Sequence, residues 1–355
     1  MDTMMNIFDG DAFSMVSMTG TLQRLPYLPT FLGDLGLFEA DYLTTADVSI
    51  EIANGRISLI PTTERGGPLA EGSPEKRSMK IVRTPRIAKG DTIYAHEIQN
   101  VRPLTQAVFD ESGNRRVIVR GVQQVVADII LQRQAKLHRD MQLTWELHRL
   151  GAAQGVLLDT DGSSVIYNWF TEFGVIPPTE VDWDLDNATP AEGALRKLCN
   201  STIRAAKAAL QGMWVEGRSY LMALAGDNFY DDLTQRKEVR ETYLATSDAA
   251  SLREHAQPYE SFRFGGITWF NYRGNGGAVG VATDKVKFVP VNVPGLFRSA
   301  FSPAEFLPYV GTPALDMYSM LIWDDKRQAW VRPEIYSYPL HYCTVPGSLL
   351  GGRRT

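Results

Sequence analysis

A chain of 355 residues with 44% hydrophobic and 22% charged residues has the composition of a folded protein with material for two or three modules. Its net charge of −5 gives no bulk attraction to nucleic acid and excludes a large basic surface for phosphates. Two cysteines, Cys199 and Cys343, are too few for a disulfide framework or a cysteine-rich metal site and point to a reducing compartment.

The first stretch, "MDTMMNIFDGDAFSMVSMTG", has neither the basic flank nor the apolar run of a signal peptide. No window approaches about 18 apolar residues, so a soluble chain, cytoplasmic where it is made, is expected. Residues 1–47 are rich in Met, Phe and Leu but are interrupted by Pro26, Pro29 and Gly33. Without periodicity such a segment cannot bury its own apolar side chains, and it reads as an arm lying across a larger surface.

Val48, Ile50 and Ile52 then alternate with polar residues, and Asn54-Gly55 is a two-residue hairpin signal. "PTTERGGPLAEGSPEKRS" (61–78) is polar and holds Gly66-Gly67 and three prolines before "MKIVRT" resumes a strand. This predicts a two-stranded arm with an extended tip, over residues 48–100. A loop so long usually serves a purpose. Between 61 and 90 stand seven basic residues, Arg65, Lys76, Arg77, Lys80, Arg83, Arg86 and Lys89, against Glu64, Glu71 and Glu75. A basic arm on an acidic chain is suited to an acidic neighbour, the plain alternative being a solvated loop.

From about Val117 to Leu150 no proline occurs, and Val122, Val126, Ile130, Leu137, Met141, Trp145 and His148 fall on one drifting stripe. This predicts a spine helix about 50 Å long at roughly 1.5 Å per residue. Thr189-Pro190-Ala191-Glu192 carries the signals of a helix start, N-cap, Pro at N1 and Glu at N3, with the helix running to about Leu210. "RSYLMALAG" reads as a buried strand and "DNFYDDLTQRKEVRETYLA" as one amphipathic helix. "YESFRFGGITWFNYRG" reads as a hairpin around Gly265-Gly266, and "VKFVPVNV", "LDMYSMLIW" and "PEIYSYPLHYCTV" as strands. The C-terminal third is therefore α+β and mostly antiparallel.

Motifs that suggest chemistry do not survive their context. His138-Arg139-Asp140 resembles the start of a kinase catalytic loop, but successive residues of a helix fan over about 200°. No D-F-G, V-A-I-K or glycine-rich loop accompanies it. "RGNGGAVG" (273–280) leads into a strand-like segment instead of a helix, so it is a hairpin connection. His96-Glu97 lacks the second histidine of a zinc-protease helix, because position 100 is Asn100. His138 and His148 are ten residues apart and cannot share a metal. Asp182, Asp184 and Asp186 lack the later Gly and Glu of a calcium loop and read as an acidic edge. Cys199 and Cys343 read as core residues. No catalytic, cofactor-binding or metal-ligating residue is assigned, and no cofactor is expected.

What remains is an order of parts: apolar arm, protruding basic hairpin, spine helix, α+β module. That order resembles the major capsid proteins of tailed bacteriophages with the Hong Kong ninety-seven type fold, specifically the lambda-like capsid protein E family. The resemblance is carried by "RRVIVRGVQQVVADIILQRQAKLHRDMQLTWELHRLGAAQG", by "YESFRFGGITWFNYRG", and by "WDDKRQAWVRPEIYSYPLHYCTVPGSLLG" with its Tyr338-Pro339-Leu340. It implies an N-terminal arm (1–47), an extended hairpin or E-loop (48–100) and a peripheral domain with the spine helix (101–188 and 325–355). The axial domain would be 189–324.

It also implies a structural protein that assembles with itself, as pentamers and hexamers, into an icosahedral head around double-stranded DNA. That protein would lie in the virion after assembly in the bacterial cytoplasm. A scaffolding protein, a portal and a decoration protein are the partners such a shell can take, with no membrane and no sequence-specific contact to DNA. The sequence shows no counterpart of the long helical propeptide of some relatives; for a full-length product this would imply a separate scaffolding protein or unaided assembly. The acidic balance fits, since a strongly basic inner wall would hold packaged DNA. Arg65, Lys76, Arg77, Lys80, Arg83 and Arg86 are the expected assembly contacts. The rival readings are an encapsulin-like nanocompartment, which shares the fold, and an enzyme. The enzyme would be either kinase-like or a self-crosslinking shell using Lys76 or Lys80.

Overall fold

The spine helix spans Val122–Gln154. It begins later than the predicted 117 because the β-branched Val117-Ile118-Val119 belongs to a strand, Arg115–Val119, paired antiparallel with Thr105–Phe109. It ends at Gly155, whose φ of 85° reverses the chain and whose missing Cβ leaves room for the Phe170 ring. In the computed structural model of the chain, the described residues are 31–53, 77–99, 105–109, 115–119, 122–187, 189–244, 261–272 and 280–355.

The helix is a spine in the packing sense, since three separate apolar clusters rest on it. Val126 and Ile130 meet Ile93, Leu321 and Val331 near its start. Leu137, Met141 and Trp145 meet Phe301, Met317 and Ile335 at its middle. Leu150 and Ala153 meet Leu32, Phe170, Leu210 and Met222 at its end. His138 is buried, Arg139 exposed and Asp140 half-buried, the fan that successive helical positions dictate. Asp140 pairs with Lys89 at 2.6 Å, a residue that the strand Ile87–Gly90 brings to the helix.

Three larger sheets surround the spine. A six-stranded sheet has the order Val181–Asp182, Leu350–Arg353, Lys285–Val291, Tyr220–Ala225, Ile267–Asn271, Ser261–Phe264. A four-stranded sheet joins Tyr318–Trp323, Trp330–Ser337 and Ile87–Gly90, with Ile93–Tyr94 also on the central strand. A three-stranded sheet joins Glu39–Tyr42, Phe297–Phe301 and Pro339–Cys343. The pairing is more mixed than expected. Tyr220–Ala225 runs parallel to Ile267–Asn271, and Glu39–Tyr42 parallel to Phe297–Phe301. The first of these pairs is allowed by a helical crossover between its strands.

Among the described residues that crossover holds two helices, Asp227–Gln235 and Lys237–Leu244, where one was predicted over the same stretch. Arg236 between them is extended, and its guanidinium donates to the backbone carbonyls of Asp184 (2.8 Å) and Asn187 (2.6 Å). The helix predicted from Thr189 starts at Ala194 instead and runs to Ala209. Gly193, with φ of 76°, ends the preceding turn, and the Thr189 amide is held by Asn187 Oδ1. These helices cover an aromatic core in which Trp183, Phe229, Trp269 and Phe288 pack ring against ring. The hairpin at Gly265-Gly266 has the predicted two-residue loop, with φ of 60° and 80°, the left-handed pair that a type I′ turn requires.

Two terminal segments pack into the body of the fold. Within the arm, Phe31 packs edge-on against Phe270 and Tyr272, Leu32 is fully buried, and Glu39–Tyr42 is a sheet strand. Residues 31–42 thus rest on their own subunit; residues 1–30 lie outside the described residues. Leu350–Arg353 is an interior strand of the six-stranded sheet, between Val181–Asp182 and Lys285–Val291. Gly352 fits there because a Cβ would lie 2.5 Å from Trp183 Nε1. Arg353 pairs with Asp182 at 3.0 Å, and Arg354 with Asp232 and Asp284. The acidic edge at 182–186 therefore meets the chain's own last residues.

Candidate assembly interface

The base of the predicted arm is the antiparallel pair Asp47–Ala53 and Arg77–Arg83, in the register Val48↔Val82 and Ser49↔Ile81. Period-two alternation gives it two faces. Val48, Ile50 and Val82 face inward onto Leu157, Trp169, Leu340 and Tyr342. Ser49, Met79, Ile81 and Arg83 are exposed, with Met79 at 70% and Ile81 at 66%. An apolar outer face on a hairpin already anchored by its inner face is surface left for another contact.

The six predicted contact residues divide by what holds them. Arg65 and Lys76 lie outside the described residues, and Arg77 opens the return strand. Lys80 points inward, donating to the Glu172 carbonyl at 3.0 Å and pairing with the Glu172 carboxylate. Arg83 is exposed, and its carbonyl accepts from the Tyr167 hydroxyl at 2.7 Å. Arg86 is spent within the subunit, 2.8 Å from Glu305 and with its guanidinium over the Tyr336 ring. Lys80 and Arg86 thus tie the segment to its own body. Nothing in the sequence signalled these ties, because Glu172 and Glu305 lie far away along the chain.

A groove of ≈ 640 Å³ runs between the spine helix and residues 85–89, lined by Ile87, Lys89, Asp140, Met141, Thr144 and His148. Buried polar groups stitch the elements together. Glu146, on the spine helix, accepts from the Leu32 amide (2.8 Å) and the Tyr272 hydroxyl (2.9 Å) through one oxygen. His341 is fully buried, 2.6 Å from the Ser299 hydroxyl through Nδ1, with the His148 ring 6.4 Å away. Burial holds His148 down to about 4 against a small opposing pull from Asp159, and keeps His341 well below the usual histidine range, helped by Arg149 and His148.

Burial pushes both thiols, Cys199 and Cys343, up to about 12, so both stay protonated and unreactive. His96 sits exposed on the five-residue helix Ala95–Gln99, stacked on Tyr94. Among the described residues no group of three or more His, Cys, Asp or Glu could hold a metal ion. No helix among them is long and apolar enough to cross a membrane. The glycine-rich 273–279 lies outside the described residues.

The family model for phage major capsid protein E matches residues 14–353. The chain is 23% identical over 376 residues to the major capsid protein of Salmonella phage Felix O1 (isolate Felix O1-VT1), covering 96% of each. It is 24% identical over 338 residues to the major capsid protein of Pseudomonas phage KPP10, covering 88% of this chain and 89% of that one. A crystal structure of a prophage protein from Escherichia coli CFT073, described as a capsid protein, superposes with a TM-score of 0.57 at 9% identity. That superposition covers 96% of this chain and 99% of the other and shows the same fold.

Proposed function

The chain belongs to the phage major capsid protein E family, and from that membership we propose that it forms a closed icosahedral head of pentamers and hexamers around double-stranded DNA. Its role is structural: it is a subunit of the capsid shell, and its place is the virion capsid. The encapsulin-like reading is not favoured, because the family is one of phage capsids. Assembly takes place in the host bacterial cytoplasm, and the shell encloses DNA without reading its sequence.

The observation that carries the mode of assembly is the two-faced hairpin. Its inner face is used by its own subunit, and Met79 and Ile81 stand exposed on its outer face. Shell subunits must present edges that are completed by copies of themselves, and a hairpin of this kind is such an edge. Arg65, Lys76, Arg77 and Arg83 carry its electrostatic contact to a neighbour. Lys80 and Arg86 act by fixing the hairpin to Glu172 and Glu305.

Electron microscopy of the purified protein tests the shell: closed particles or rings of subunits are expected, and a uniformly small monomer refutes it. Charge reversal at Lys76 and Arg77 tests the contact. Particle yield at moderate salt should fall, and an unchanged yield removes those residues from the interface. Lys80 is left out of that variant because its reversal would repel Glu172 inside the subunit.

A further inference from the structure

We propose that the turn carrying Leu307 and Val310 is a second contact between copies of this chain, separate from the hairpin. The proposal rests on the shell reading above.

The turn follows the strand Phe297–Phe301 and contains a short 3₁₀ segment, Leu307–Tyr309, closed by the Val310 amide donating to the Leu307 carbonyl. In 3₁₀ geometry residues i and i+3 eclipse one another, so Leu307 and Val310 form one small apolar ridge. They are 91% and 68% exposed. Their neighbours point the other way and anchor the turn. Tyr309 is buried edge-on against Tyr318, with centroids 4.7 Å apart, and Phe306 packs on Tyr336 at 4.9 Å. Pro303, Pro308 and Pro313 further limit the backbone. The Thr312 hydroxyl donates to the Tyr309 carbonyl at 2.8 Å. Two aliphatic side chains are therefore held up to water on an anchored turn, where covering them would be favourable.

The character of the surface selects the occupant. From 303 to 315 the chain carries one charged residue, Glu305, and Arg86 neutralises it at 2.8 Å. On a chain of net charge −5, an uncharged patch is where identical copies meet without like-charge repulsion. The patch is also too small to hold a partner alone, since a specific pair buries on the order of 1,000 Å². A contact this weak is useful where it is repeated and held in place by other contacts. That is the situation of a closed shell of identical subunits.

The experiment uses Leu307→Cys in the full chain. Cys199 and Cys343 are fully buried, so a maleimide reads the introduced thiol. Labelling should be rapid in unassembled subunits and lost in particles assembled from this chain alone. Leu307→Asp should reduce particle yield and leave the urea midpoint of the unassembled subunit unchanged. Equal labelling in subunits and particles, or wild-type yield for Leu307→Asp, overturns the inference and leaves the shell reading standing. Protection that appears only when another virion protein is added to such particles assigns the turn to that protein and overturns the self-contact. Failure of the wild-type chain to form particles removes the shell reading and this inference with it.

Discussion

Glu146→Ala would strand two buried donors at once. Oε1 of Glu146 accepts from the Leu32 amide at 2.8 Å and from the Tyr272 hydroxyl at 2.9 Å, and the side chain is 1% exposed. A buried donor left without a partner costs about 1–3 kcal/mol, so losing both predicts about 2–6 kcal/mol. The lower end applies if water enters the space left by the side chain. Glu146→Gln keeps an acceptor oxygen and should cost about 1 kcal/mol. Tyr272→Phe removes one donor together with its bond and should also cost about 1 kcal/mol. In the Glu146→Ala background Tyr272→Phe relieves a stranded hydroxyl, so the pair should be non-additive by about 1–2 kcal/mol. Urea unfolding of the unassembled subunit, followed by tryptophan fluorescence, reads these differences. Hydrogen exchange gives the local test: the Leu32 amide, protected in the wild type, should exchange freely in Glu146→Ala. A cost below about 1 kcal/mol, additivity with Tyr272→Phe, or a Leu32 amide that stays protected would each refute the reasoning.

Met141→Asp places a carboxylate among Leu137, Trp145, Phe301 and Ile335 and should abolish soluble subunit. Asp140→Asn removes only a partly exposed pair with Lys89 and should change the unfolding free energy from urea titration by less than about 1 kcal/mol. Because burial depresses His148 from 6.5 to about 4, the unfolded chain binds its proton more readily. The contribution is full above the unfolded value and is lost as pH falls from about 6.5 toward 4, at about 1.4 kcal/mol per pH unit. His148→Gln should flatten the fall in urea midpoint between pH 7 and pH 5, and equal slopes for the two proteins would refute it. Deleting residues 350–355 opens the six-stranded sheet between Val181–Asp182 and Lys285–Val291 and leaves Asp182, Asp232 and Asp284 without their arginines. No soluble subunit is expected, as judged by sedimentation of a cell lysate.

Local patterns were legible wherever a repeat or a turn signal governs a contiguous stretch. The stripe from Val126 to Trp145 is a helix because its apolar period leaves one face to bury, and Gly265-Gly266 makes a hairpin because both residues need positive φ. Boundaries failed where a distant partner won. Val117–Val119 went to a strand because Thr105–Phe109 lies beside it. The helix expected at Thr189 gave way to one starting at Ala194, and the long helix broke at Arg236, whose guanidinium is claimed by carbonyls about fifty residues earlier.

The sequence by itself determined that the chain is an α+β protein with a spine helix and a two-stranded hairpin base. Those conclusions need only composition, period and the order of parts. Only the tertiary structure decided how the charges are used: Lys80 on Glu172, Arg86 on Glu305, Asp140 on Lys89, and the last arginines on Asp182, Asp232 and Asp284. It alone raised Leu307 and Val310 into water while burying Tyr309 between them. The reason is physical. Periodicity is set by neighbours along the chain, whereas an ion pair or an exposed ridge depends on which distant surface folding brings beside it.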